Sequence, residues 1–219
     1  MNLMRSAVLG LAGLLLAACA SVPGMPETTY YRLPPPSPTT PLVEAPVGVP
    51  IVVEILSADG LYADQALIYT LDADASRLRT YHYQLWIDPP ARLLQRRLIE
   101  NLRLAGVSRV VTDQLPTRMD ALRIVGRITR LERVHGAGGW DAVAALALRA
   151  EPSSGGRPWV IGEYQHRVAA DGDTMADTVR ALAQAIDRIG ADFIADLVER
   201  AREGEAGHDA IRIRHVEAD

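Results

Sequence analysis

The chain has 219 residues, enough for one medium domain with extensions, and 23 cationic against 27 acidic side chains give a formal charge of −4. All the cations are arginine, which excludes a Walker A phosphate loop, a Schiff-base lysine and a Ser–Lys dyad. One Cys excludes an internal disulfide or a multi-thiolate metal site, and the acidic balance argues against nucleic-acid binding.

The N-terminus predicts an address. Arg5 supplies a positive charge and residues 6–18 form an apolar run. Thirteen helical residues rise only about 20 Å, too short for a ~30 Å hydrocarbon core, so residues 1–18 read as a signal peptide. The run ends Leu16-Ala17-Ala18-Cys19, which resembles the lipobox of bacterial lipoproteins. That resemblance implies cleavage before Cys19 and lipidation of its sulfur and new amine. Two or more acyl chains make a stable anchor. Ala20-Ser21 lacks the aspartate that retains enterobacterial lipoproteins in the inner membrane, so an outer-membrane, periplasm-facing location is expected.

Residues 19–50 hold nine of the 14 prolines and are expected to be an extended tether, with Thr28–Leu33 as a short docking strand. The body is expected over 51–202. Strands are predicted at Ile51–Leu56, Ala66–Leu71 and Arg77–Tyr83, the last two joined by a turn at 72–76. A helix follows, with Asp88 as N-cap, Pro89 in the first position, Ala91, Leu94, Leu98, Leu102 and Ala105 on one stripe, and Gly106 as its stop. Strands at Val107–Thr112, Ala121–Val134, Trp140–Ala150 and Pro158–Ala169 come next, the last three separated by Gly-rich turns. A second helix opens at Asp173 or Thr174, with Asp177 at capping-box spacing from Thr174. Its apolar stripe runs Met175, Val179, Leu182, Ile186, Ile189, Phe193 and Leu197, to about Glu199. Residues 203–219 lack such a pattern and are expected to be a mobile tail. The expected architecture is α+β, an antiparallel sheet with both amphipathic helices on one face.

Candidate chemistry is sparse. His82, His135, His166, His208 and His215 show no HxxxH or HExxH spacing, and no metal or cofactor is expected. No G-x-S-x-G elbow is present, and Ser108 follows a helix and opens a strand, the reverse of an elbow. Gly136-Ala137-Gly138-Gly139 joins two strands and reads as a hairpin turn. Asp171, Asp173 and Asp177 suit a helix start. Arg118, Arg123, Arg127, Arg130 and Arg133 are expected to divide between the two faces of a strand. They form a solvated edge or touch lipid headgroups or an acidic partner. Trp140 and Trp159 are candidate core anchors.

A family resemblance is carried by Tyr30-Tyr31-Arg32-Leu33, by Ile51–Leu56, by Leu61-Tyr62-Ala63-Asp64-Gln65-Ala66-Leu67-Ile68-Tyr69, and by Tyr81–Ile87 leading to Asp88-Pro89-Pro90. Its most specific piece is Trp86 followed by Pro89-Pro90 at a helix start. With the lipobox, these segments resemble the ABC-type transport auxiliary lipoproteins, the family that includes the paraquat-inducible protein C type, over roughly 29–200. The turn before the second strand departs from the family pattern, being Ala63-Asp64-Gln65 here. The resemblance implies a non-enzymatic lipoprotein partnering MCE-domain proteins and ABC transporter components that move lipids or other apolar molecules across the envelope. It is expected to act as a ring of several copies, with no catalytic residue. A scaffolding lipoprotein without a transport role is the alternative.

Overall fold

A computed structural model describes residues 26–72, 76–115, 119–205 and 212–217. Its strands are β1 (Thr29–Tyr31), β2 (Ile51–Val53), β3 (Ser57–Ala58), β4 (Ala66–Thr70), β5 (Arg79–Trp86), β6 (Val111–Thr112), β7 (Leu122–Gly136), β8 (Gly139–Pro152), β9 (Val160–Ala169) and β10 (Arg212–Glu217). Helix α1 spans Pro90–Ala105 and α2 spans Met175–Glu205. The class is α+β, as expected, but the sheet is mixed, ordered β1-β5-β4-β7-β8-β9-β10.

The antiparallel part is the β7–β8–β9 meander, whose short connections enforce it. Parallel pairing enters where the chain makes a longer return. β2, β3 and β4 lie in succession along one edge of β7, pairing with it at Ile51–Leu122, Ser57–Arg127 and Tyr69–Arg133. Between β4 and β7 the chain completes a hairpin to β5 and crosses over through α1, which lets it come back in the same direction. β1 pairs parallel to β5, and β10 pairs parallel to β9 after the α2 crossover. Residues 212–217 are therefore an edge strand where the sequence suggested a mobile tail. Residues 203–205 of that expected tail continue α2, and residues 206–211 and 218–219 lie outside the described residues.

Both helices cover the face formed by Leu122, Ile124, Ile128 and Leu131 of β7 with Ala142, Ala144, Leu146, Leu148 and Ala150 of β8. The β8 alanines leave room for the larger side chains of α2, whose Ile189, Phe193 and Leu197 are fully buried. The Thr174–Asp177 capping box forms as predicted. The Asp177 amide donates to Thr174 Oγ1, and the Thr174 amide donates to the Asp177 carboxylate, each at 3.2 Å. Gly106 stops α1 in the left-handed region, at φ 69°. The start of α1 differs from expectation by one residue. Pro90, not Pro89, takes the first position, and Asp88 pairs with Arg96 instead of capping.

The largest departure is in the proline-rich segment. Polyproline II makes no internal hydrogen bonds, so its carbonyls and amides are free to be taken up by the body. The Leu42 amide donates to the Ala105 carbonyl and the Val47 amide to the Val107 carbonyl, both at 3.0 Å. Val47 is fully buried, and Leu33, Leu42 and Val49 pack against the core. Ser108, the misplaced elbow serine, donates its hydroxyl to the Val49 carbonyl at 2.8 Å. Residues 32–50 are thus a strap bound across the helices, not a free spacer.

Candidate functional site

The strap is fastened through Arg97. This side chain is 3 % exposed, yet it lies on a helix whose other arginines stay outside. It donates to the Pro34 carbonyl and, through two nitrogens, to Asp187 of α2 at 2.6 and 2.8 Å. The same carboxylate accepts from the Asn101 amide and from the Ser37 backbone amide, both at 3.2 Å. One acid therefore joins α1, α2 and the strap. Gly190 permits the close approach of the helices, since a Cβ there would lie 2.7 Å from the Asn101 side chain. Nothing in the α1 repeat flags Arg97, because its burial depends on a strap and a helix distant in sequence.

Beyond this latch, the strap, the end of α1 and the exposed face of α2 enclose a groove of about 970 Å³. Ala191, Ile194, Ala195 and Val198 of α2 form its floor, with Ala105 and Leu42 beside them. Thr39 and Thr40 of the strap line the opposite side. Its latch end is polar, with Ser37, Gln184 and Arg188, and its far end carries Glu199 and Arg202. A concavity of this size with a mainly apolar floor is the usual form of a ligand or peptide site.

The arginines of β7 fall differently from the two-residue alternation. A bulge between Ile128 and Arg130 shifts the parity, so Arg123, Arg127 and Arg130 share the outer face. Arg123 pairs with Glu54 and Glu151, Arg127 with Asp59 and Arg130 with Glu132, which neutralises the stripe within the molecule. Arg133 turns to the helix face instead. Its guanidinium lies 3.7 Å over the Trp140 ring and donates to Tyr81 Oη and the Asp173 carbonyl. Arg118 lies outside the described residues. On the outer face Glu132 is buried, accepting hydrogen bonds from Tyr62 and Arg130. Burial, with the Glu132 carboxylate second, raises the Tyr62 hydroxyl far above its ordinary value.

His82 and His135 are exposed, and His166 meets Asp192 at 2.7 Å, beside the Tyr164 hydroxyl that donates to Asp196. Among the described residues no group of three ligating side chains converges. The β10 backbone places His215 opposite Glu163, while His208 and Cys19 lie outside the described residues. Trp86 is 2 % exposed, sealed by Leu33, Leu93, Leu94, Leu131 and Ile186. Trp140 and Trp159 are partly buried.

The model of the family described as ABC-type transport auxiliary lipoprotein component matches residues 31–195. The chain belongs to this family. The match begins at the end of β1, includes the strap and α1, and ends inside α2, within the groove floor. The fold of the auxiliary lipoproteins recurs in a Xanthomonas campestris protein of the DUF330 family, at TM-score 0.66 and 17 % identity, covering 81 % of this chain and 99 % of that one. An uncharacterized protein matches at TM-score 0.61 and 19 % identity, covering 78 % and 99 %. No curated protein sequence matches the chain.

Proposed function

We propose that this auxiliary lipoprotein serves an MCE/ABC-type transport system, as a non-enzymatic component that is anchored by Cys19 in the outer membrane and faces the periplasm. It contributes a binding body to the movement of lipids or other apolar molecules across the envelope. The family match over residues 31–195 carries the reading. Two features support it. Leu16-Ala17-Ala18-Cys19 closes an apolar segment too short to span a bilayer. The body is a sheet with two helices and a strap that shape a groove rather than a cluster of reactive side chains.

In this reading residues 1–18 are removed and a short linker leads from Cys19 to β1. The body then meets the periplasmic end of an MCE assembly, possessing in several copies the avidity that tethering to a membrane provides. Co-purification tests it. The tagged full-length protein, crosslinked and extracted from membranes, is expected to bring down an MCE-domain protein encoded near its gene. Recovery of cell-wall or outer-membrane assembly proteins alone overturns this reading in favour of a scaffolding role.

A further inference from the structure

We infer that the strapped groove is a binding site for one long-chain fatty acid, with its carboxylate at Arg188 and its chain laid along Ala191, Ala195 and Val198. Three observations carry this. The first is polarity. The groove is polar at the latch end and apolar along its floor, with Glu199 and Arg202 only past Val198, so an amphiphile headed at Arg188 lays its chain on the apolar stretch. The second is charge. Asp187 is already taken by Arg97, and among the described residues Arg188 has no ion pair, so its exposed guanidinium is available to a carboxylate. Gln184, one turn earlier, adds an amide donor. Glu199, the remaining acid of the lining, lies past Val198 and next to Arg202, away from the headgroup.

The third observation is length. From Arg188 to Val198 the helix rises about 15 Å. That is half of a ~30 Å hydrocarbon core, the depth that one acyl chain spans in a bilayer. Ala191 and Ala195 are exposed small residues, and they keep the floor low enough for a chain to lie between α2 and the strap. The site does not depend on an MCE partner, and its failure would leave the co-purification result untouched.

A photoactivatable palmitate with a diazirine near its tail tests the site, added without detergent to envelope extracts containing the full-length protein. Tryptic digestion isolates residues 189–200, which hold the floor, or residues 181–200 in Arg188→Glu, which loses that cleavage site. Crosslinking is expected on that peptide. Ala195→Trp, which fills the floor from an exposed position, is expected to lower it at least tenfold, and Arg188→Glu at least fivefold. Thermal melting checks that the variants fold, and Ala191→Phe replaces Ala195→Trp if the latter melts early. Unlabelled palmitate is expected to compete, with palmityl alcohol at least fivefold weaker. Label spread over other peptides, or undiminished in both filled variants, overturns the site. Equal competition by the alcohol overturns the assignment of Arg188. Crosslinks from this face to another protein, in place of label on the peptide, overturn the fatty acid in favour of a protein partner.

Discussion

Asp187 fastens the strap and α1 to α2 with a single carboxylate, and its partner Arg97 is almost wholly buried. Removing one member of a buried pair costs about 3–5 kcal/mol, because the other charge stays behind without compensation. For a chain of this size that is a fall of roughly 6–20 °C in melting temperature. Asp187→Ala is expected to show it by calorimetry, whereas Arg97→Met combined with Asp187→Leu should recover most of the loss. Equal melting of wild type and Asp187→Ala would mean that the latch is not formed. Tyr62 gives a second test. Its raised folded-state pKa means that the folded protein keeps a proton which the unfolded chain gives up near pH 10. The resulting stability is complete below about pH 10 and is lost as pH rises beyond it toward the folded value. Urea midpoints measured between pH 8 and 11.5 should decline above 10, and less steeply in Tyr62→Phe. Some decline remains in that variant, since burial also raises Tyr31 and Tyr81. Identical slopes in both proteins would refute the assignment.

Trp86 joins the end of β5 to the start of α1, and its burial makes it the best single probe of that corner. Truncating a buried Trp costs about 3–5 kcal/mol, so Trp86→Ala should melt well below wild type. A melting curve unchanged by the substitution would show that the ring is not packed. The two helices were legible in the sequence because apolar stripes, the Thr174 cap and the Gly106 stop act within a few residues, whereas the Asp88 cap did not form and α2 runs past the expected Glu199 to Glu205. Asp177 three positions after Thr174 and the seven-residue apolar stripe of α2 needed no knowledge of distant partners. The β7–β8–β9 meander was legible from its turns. The parallel edge of β7 was not, since pairing of Ile51 with Leu122 depends on chain closure across 70 residues. The β7 bulge was equally hidden. It reverses the side on which Arg130 and Arg133 emerge, and only the partner strand reveals the extra residue. Of the groove, the sequence showed the helix stripes that face the core and gave no sign of the outer face. Proline content pointed to extended backbone, but a proline-rich segment binds a surface as readily as it spans a gap.

Anchoring is tested on the full-length protein. Labelled palmitate should enter the wild type and not Cys19→Ala, and the variant should leave the membrane fraction. Equal labelling of both ends the lipobox reading. The docked strap also alters how far an anchored body can stand from its membrane. From Cys19 only the ten residues 19–28 precede the sheet, a reach of at most ~35 Å when fully extended. If all the proline-rich residues were free, the reach would be about 100 Å. The entry point of that linker has a mechanical consequence. If Cys19 carries the anchor, a pull from the membrane would be applied to the start of β1, whose hold on β5 is three registered residues at the margin of the sheet. Next along the chain come the Pro34 carbonyl on Arg97 and the Ser37 amide on Asp187. Tension would therefore be borne in series, first by a short ladder and then by one side chain from each helix, before it reaches the meander. The margin and the latch are expected to yield first, so stretching the linker would loosen one wall of the groove before the meander is loaded.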